Sequence, residues 1–174
     1  MNPIALPAAD EYAPYYGRYV ALVGPDVLAA LESQARTTAA LLASTPETKG
    51  GFRYGEGKWS VKEVIGHLAD CERVFAYRIL SFARGDQTSL PGFDENAWMP
   101  FTTFDRRALA DLAAELAAVR AATLALVRSL DEAALARRGR ANDALVSVRG
   151  LAAIIAGHEA HHVKLLRERY GLTG

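Results

Sequence analysis

The chain is 174 residues long, which is enough for one domain with a substantial hydrophobic core. Its 20 lysines and arginines balance its 20 aspartates and glutamates, so the composition suggests neither a nucleic-acid partner nor binding to an anionic membrane. Apolar residues make up 51% of the sequence. Because much of this share is alanine and leucine, which are strong helix formers, we expect an all-α protein.

Several features of the sequence favour the cytoplasm. No apolar run approaches the ~20 residues that a membrane-spanning helix needs, and residues 1–7 lack the basic and apolar stretches of a signal peptide. The single cysteine, Cys71, excludes an internal disulfide and fits a reducing compartment. We therefore expect a cytoplasmic protein in which Cys71 is a small buried apolar residue rather than a nucleophile.

The N-terminal part of the chain predicts an arm followed by a first long helix. Residues 1–25 are rich in proline and tyrosine, and we expect an extended arm or short helical turns packed on a single domain that spans residues 1–174. Pro25 and Asp26 then open a helix that runs to about Ala43 and ends at Ser44-Thr45-Pro46.

A second helix is predicted by both its ends and its period. Ser60 and Glu63 have the capping-box spacing at the start, and Gly85 follows the expected end near Arg84. Its apolar residues follow helical spacing; they are Val61, Val64, Ile65, Leu68, Cys71, Phe75, Ile79 and Phe82.

Two more long helices follow a long connection, residues 85–104. The third helix is predicted over about Asp105–Leu130, with a short extra turn over 131–138. A loop at 139–143 precedes the fourth helix, which runs over about Arg149–Tyr170 and ends at Gly171.

Four long helices predict a four-helix bundle. The connection between the second and third helices is too long for a tight hairpin, and it can run the length of the bundle and leave those two helices parallel. We therefore expect an up-down-down-up topology rather than up-down-up-down.

Three of the four histidines lie close together, in Gly157-His158-Glu159-Ala160-His161-His162, and the fourth is His67. At about 100° per residue, His158 and His162 point within roughly 20° of the centre of the apolar stripe, and His161 points about 80° away from it. Imidazoles one turn apart can reach the same ion. With His67 at the edge of the buried face of the second helix, this pattern predicts a metal site built from two helices.

Two other interpretations of these histidines stay open at this point. Histidines packed in a helix pair can be structural, although burying two imidazoles costs free energy unless both are hydrogen-bonded or ligated. The segment from His158 to His162 also has the His-Glu-x-x-His form of zincin proteases. A zincin needs a sheet and a third ligand further along, and only a short stretch follows His162.

Three motifs of this sequence resemble those of the DinB-like (DinB/YfiT) superfamily. They are Lys58-Trp59-Ser60-Val61-Lys62-Glu63-Val64-Ile65-Gly66-His67-Leu68-Ala69-Asp70, Leu90-Pro91-Gly92-Phe93-Asp94 and Gly157-His158-Glu159-Ala160-His161-His162. They occur in the order and spacing of that family, and the resemblance covers most of the chain.

The resemblance implies an up-down-down-up four-helix bundle that often forms a homodimer. It also implies one divalent metal ion (zinc, nickel or manganese) held by one histidine of the second helix and two of the fourth, which are here His67, His158 and His162. Some relatives transfer small thiols such as bacillithiol, mycothiol or glutathione to electrophiles. We therefore expect a metal-dependent thiol S-transferase whose partners are a small thiol and a small electrophile.

Other functions and site residues are weighed beside this expectation. The alternatives are a metal-dependent hydrolase and a non-catalytic, metal-stabilised bundle that acts in a stress response or binds a partner. Asp70, three residues after His67, is a candidate to orient a ligand or act as a base, with an ion pair to Arg73 or to a residue of the fourth helix as the equal alternative. Glu159 is expected to face solvent or an interface. Arg78 and Tyr77 are candidate substrate-binding residues, although an arginine in a long helix is usually at the surface.

Overall fold

Four long helices form the body of the protein in the computed structural model, which describes residues 3–173. The long helices are α2 (Val27–Ser44), α3 (Val61–Ala83), α5 (Leu109–Arg128) and α7 (Val148–Glu168). The shorter elements are α1 (Gly17–Val20), α4 (Glu95–Trp98), α6 (Glu132–Ala136) and the strands β1 (Arg138–Ala141) and β2 (Ala144–Ser147). Single 3-10 turns lie at Ala9–Glu11, Pro14–Tyr16, Glu47–Lys49, Met99–Phe101 and Phe104–Arg106. Within the described range, no helix is both long and apolar enough to cross a membrane.

The helix ends follow the local signals of the sequence. The capping box at Ser60 is confirmed: its hydroxyl accepts from the Glu63 backbone N–H, and the Glu63 carboxylate accepts from the Ser60 N–H. Gly85 and Gly171 follow α3 and α7 with φ of +82° and +67°, a conformation that glycine adopts without strain. The third long helix begins at Leu109 rather than near Asp105, because Arg107 and Ala108 are extended after the Phe104–Arg106 turn.

Contacts between neighbouring helices confirm the up-down-down-up topology. Paired residues advance in the same direction along α2 and α7 and along α3 and α5, and in opposite directions along α3 and α7. For α2 and α7 the pairs are Gln34–Ala156 and Thr38–Glu159. For α3 and α5 they are Ser60–Asp105 and Glu72–Arg120. For α3 and α7 they are Trp59–Tyr170 and His67–His158. Because α2 and α3 each pack against both α5 and α7, these two consecutive helices occupy opposite corners of the bundle.

A β-hairpin replaces the loop that was predicted at 139–143. Strands β1 and β2 pair in antiparallel register from Arg138↔Ser147 to Ala141↔Ala144. Asn142 and Asp143 at the tip have φ of 49° and 59°, as a two-residue type I′ turn requires. The body of the protein is all-α as expected, and this two-stranded ribbon is its only sheet among residues 3–173.

Residues near the N-terminus pack along α7. Tyr19 and Val20 of α1 are buried, and Arg149 of α7 donates two hydrogen bonds to the buried carboxylate of Glu11, at 2.8 and 2.7 Å. Burial alone would raise the pKa of Glu11, but the hydrogen bonds from Arg149 and from the Ala8 backbone, together with the charge of Arg149, lower it to about 2. The carboxylate of Glu11 is therefore ionised across the neutral range.

One buried arginine links all four long helices. Arg120 of α5 donates to Glu72 of α3 at 2.8 Å, to Glu159 of α7 at 2.5 Å and to the Leu31 carbonyl of α2 at 3.2 Å. Thr38 of α2 completes the cluster by donating to Glu159 at 2.5 Å. The expectation that Glu159 faces solvent or an interface is wrong, since it is 4% exposed and pairs inside the bundle with Arg120 from another helix.

Replacing Arg120 with methionine would leave two buried carboxylates without their cation. We expect Arg120→Met to lower the free energy of unfolding by about 3–5 kcal/mol, measured by urea denaturation followed by circular dichroism. Arg128→Met is the matched control, because Arg128 pairs with Glu32 at the surface and loss of that pair costs less than about 1 kcal/mol. Equal losses in the two variants would contradict the central role of Arg120.

The depressed pKa of Glu11 predicts a stability difference that depends on pH. The pKa is about 2 in the folded chain, against 4.5 for a glutamate without these contacts, so the ion pair stabilises the fold above pH 4.5 and this contribution is lost as pH falls towards 2. We expect Glu11→Gln to cost about 2 kcal/mol at neutral pH and progressively less as the pH approaches 2. The comparison variant is Glu132→Gln, which removes a carboxylate that is 77% exposed and 3.6 Å from Arg149. If the stability loss varies with pH in the same way in both variants, the prediction is wrong.

Candidate metal centre

Three buried histidine rings meet between α3 and α7. His67, His158 and His162 are 5%, 8% and 9% exposed. The ring centroid of His67 lies 4.9 Å from each of the other two, which are themselves 4.6 Å apart. The fold thus brings together the three histidines that were predicted as ligands, and it buries His67 more deeply than the edge position expected from helix geometry.

A glycine precedes His67, and another precedes His158, because another segment packs tightly at each point. A Cβ atom on Gly66 would lie 2.5 Å from the Phe104 ring, and one on Gly157 would lie 2.1 Å from the Tyr19 carbonyl oxygen. Both distances are far inside van der Waals contact. The two glycines therefore let the connection after α3 and the N-terminal segment close over the histidines.

The donor atoms nearest to one another come from His67, Cys71 and His158. Nε2 of His67 lies 3.1 Å from Nε2 of His158, and the Cys71 Sγ lies 3.7 Å from Nε2 of His67. Around a tetrahedral zinc ion, two nitrogen ligands lie about 3.3 Å apart and a nitrogen and a sulfur about 3.6 Å, from the usual bond lengths. These side chains could therefore hold a metal ion, and their ligand atoms all lie within 4.8 Å of one another.

His162 lies beside this closest set but is not part of it. Its Nδ1 is buried and has no hydrogen-bond partner within residues 3–173. Such an unpaired nitrogen costs free energy in the interior, and a bound cation is one group that would satisfy it. The donor set and this unpaired nitrogen both fit a metal ion.

Burial keeps all three imidazoles uncharged at neutral pH. Desolvation lowers the pKa of His67 to about 4 and, with the neighbouring histidines, that of His162 to about 3. The pKa of His158 is also well below its usual range, mainly through burial and then through His162 and His67. A neutral imidazole has the free lone pair that a metal ligand needs.

The other two candidate residues lie at the margin of the cluster. The half-buried His161 packs its ring 5.5 Å from that of Tyr19 and 5.1 Å from that of His162. The Asp70 carboxylate accepts from Arg73 at 3.2 Å, so the ion pair weighed as its alternative role is present. Burial raises the pKa of Asp70, while Arg73 opposes the rise, and within the described range no hydrogen bond joins Asp70 to His67.

An open cavity of about 280 Å³ reaches the histidine cluster. His67, Cys71 and His158 lie at its floor, and Phe75 and Arg78 of α3 continue its wall. The opposite walls come from outside the bundle, from Tyr16, Phe93 and Asn142. The cluster is therefore accessible to a small molecule.

Sequence reasoning missed Cys71 as a possible ligand, and it named Arg78 as a candidate substrate-binding residue but favoured a surface position for it. Cys71 is buried as predicted, at 3% exposed, but its Sγ also lies 3.5 Å from Nδ1 of His67. Its position one helical turn after His67 is the sequence pattern that could have predicted this contact. Arg78 is 3% exposed rather than at the surface. Helical spacing could have predicted that Arg78 points towards the cavity, since it lies about three turns beyond His67 on the same face of α3.

Comparison with known proteins identifies related folds. A family model described as the DinB superfamily matches residues 30–166, more than half of the chain. Among solved structures, the chain is similar to YfiT from Bacillus subtilis, a probable metal-dependent hydrolase with an unusual four-helix bundle topology. The two structures superpose with a TM-score of 0.70 at 16% sequence identity, over 97% of this chain and 95% of the other. At this identity the likeness shows a shared fold. No curated protein matches the chain.

Proposed function

This chain belongs to the DinB superfamily, and we propose that it is a metal-dependent enzyme that transfers a small thiol to a small electrophile. The observation that carries the proposal is a cluster of three buried, neutral histidines, two of which, His67 and His158, line an open cavity. A structural ion is enclosed by protein ligands on every side, whereas a catalytic ion keeps an open position for water or substrate. The cavity supports such a position here.

The proposed ligands of one divalent ion are His67, His158 and His162. The short contact between Nε2 of His67 and Nε2 of His158, at 3.1 Å, supports the first two. The unpaired Nδ1 of His162 supports the third. Cys71 is the competing third donor, since its Sγ lies 3.7 Å from Nε2 of His67. Imidazole donors suit several first-row metals, and zinc, nickel and manganese are the ions we propose.

When bound, the ion would lower the pKa of a thiol or of a water molecule and so supply a nucleophile at neutral pH. In the proposed transfer, a bond forms between the thiol sulfur and the electrophilic carbon, the bond from that carbon to its leaving group breaks, and the thiol proton departs with the leaving group. In this proposal Phe75 and Phe93 provide apolar walls for the electrophile, and Tyr16 and Tyr19 line the same cavity.

The chemistry of the cavity wall favours thiol transfer over hydrolysis. A metal-assisted hydrolase commonly uses a carboxylate near the ion as its general base. Asp70 is engaged by Arg73, and the carboxylate that lines the cavity is that of Glu95, from α4. Aromatic walls suit an apolar electrophile. Hydrolysis remains the second candidate, because Glu95 could serve as a base and YfiT is a probable metal-dependent hydrolase.

Metal content tests the proposed ligands directly. We expect His67→Ala, His158→Ala and His162→Ala each to weaken zinc binding by more than about 100-fold, the upper range for loss of a residue that only supports a ligand. His161→Ala is the matched control and should retain its metal. Elemental analysis after dialysis against zinc provides the measurement, and circular dichroism verifies folding. If Cys71→Ser loses zinc and His162→Ala does not, Cys71 replaces His162 in the ligand set; equal loss in His161→Ala or a metal-free wild type contradicts the site.

Activity assays separate transfer from hydrolysis. We expect zinc-, nickel- or manganese-loaded protein to accelerate addition of cysteine or glutathione to chlorodinitrobenzene. His158→Ala should abolish this rate enhancement because it removes a ligand, while His161→Ala should preserve it. A nitrophenyl ester offered without thiol is the competing substrate. Ester cleavage without thiol transfer would favour the hydrolase, and a metal-loaded protein inert in both assays would favour a non-catalytic bundle.

A further inference from the structure

Two arginines are buried among the described residues, and only one of them has a counter-charge. Arg120, 2% exposed, is neutralised by Glu72 and Glu159. Arg78 is 3% exposed, yet within residues 3–173 no carboxylate oxygen lies within 4.0 Å of its guanidinium nitrogens. Burial lowers the pKa of Arg78, the direction expected for a cation without a counter-ion. Arg78 is thus a buried positive charge without a carboxylate partner in the part of the chain that the structure describes.

Local contacts stabilise this charge only in part. One Arg78 nitrogen, Nη2, donates to the Pro91 carbonyl at 2.7 Å. The guanidinium carbon lies 5.6 Å from the Phe75 ring centre and 5.5 Å from that of Phe93, and cation–π contacts of this kind contribute about 0.5–2 kcal/mol. The Tyr16 side chain also interacts with the guanidinium and opposes the fall in the Arg78 pKa. A guanidinium carries five N–H donors, so donors beyond these contacts remain for a ligand.

The position of Arg78 connects this charge to the histidine cluster. Arg78 lines the cavity whose floor carries His67 and His158. The Phe75 ring lies between them, 5.6 Å from the guanidinium carbon and 6.4 Å from the His158 ring. A single small molecule can therefore contact Arg78 at one end and the histidines at the other.

We propose that Arg78 binds a carboxylate group of the substrate, so that the substrate class is small organic carboxylates with an apolar or aromatic portion beside Phe75. The guanidinium matches a carboxylate in a planar, two-point hydrogen-bonded geometry. The identification of this ligand as the substrate rests on the proposed function, while the binding itself does not.

The remaining charges around the cavity favour a single negative charge on the ligand. Glu95 is half-buried and lines the same cavity, and it would repel a second negative charge. One carboxylate balances the one charge of Arg78, so no second negative charge is needed at the Arg78 end of the ligand.

Matched ligands of equal shape test the proposal without an activity assay. Phenylpropanoate and its uncharged amide, phenylpropanamide, differ only in the carboxylate, and inorganic phosphate is the third probe. Binding to zinc-loaded protein is measured by thermal shift and by chemical-shift titration. The variants are Arg78→Met, which keeps the apolar stem, Arg78→Lys, which keeps the charge, and Arg128→Met, which removes an equal charge from an exposed surface pair.

We expect wild type and Arg128→Met to bind phenylpropanoate at least about tenfold more tightly than the amide, as one charge-assisted contact of about 1.4 kcal/mol provides. Arg78→Met should lose this preference with its zinc content unchanged, and Arg78→Lys should retain part of it if Arg78→Met does not fold. The proposal fails if acid and amide bind alike, if Arg78→Met weakens the binding of phosphate more than that of phenylpropanoate, if Arg78→Met keeps the preference, or if wild type binds no carboxylate at millimolar concentration. A preference that survives in a protein without metal or transferase activity would instead overturn the proposed function alone.

Discussion

The ion-pair cluster around Arg120 sets the relative positions of the helices that carry the site. Its two carboxylates, Glu72 and Glu159, directly follow Cys71 and His158 in the sequence. Successive residues of a helix point about 100° apart, so on both α3 and α7 a donor faces the cavity while its neighbour faces Arg120. The Arg120 guanidinium therefore fixes the positions of α3 and α7 along their axes and keeps the metal-donor side chains of the two helices opposite each other. A shift of either helix along its axis would break the ion pairs and separate Nε2 of His67 from Nε2 of His158 together.

Helical periodicity predicts much of this arrangement but not its polar interior. The core-facing positions of His158 and His162 follow from the apolar stripe of α7 alone, and the capping box at Ser60 specifies the start of α3. The burial of Glu159 does not follow, because a carboxylate off the apolar stripe looks solvent-exposed until its partner is known. That partner, Arg120, comes from another helix, and only the packing of the bundle reveals it.

The cavity is less predictable than the histidine cluster because its outer walls are irregular segments. Tyr16 is the last residue of the second N-terminal turn, Phe93 belongs to the long connection, and Asn142 lies at the tip of the hairpin. No periodic pattern places such residues; tertiary contacts do, including the close packing of Asn142 against Gly92. The regular helices thus hold the donor atoms, while the irregular segments define the space in which a ligand is recognised, a division common among binding sites.

The diagonal placement of α2 and α3 has a consequence for how the chain folds. In a simple up-down bundle each helix packs on the next one in the chain, whereas here α2 packs on α5 and α7 rather than on α3. The contact between His67 and His158 joins residues 91 positions apart. Long-range contacts require large loops to close before any burial compensates the lost chain entropy. The topology therefore gives this protein a higher contact order than an up-down bundle of the same length, and it is expected to fold more slowly than such a bundle.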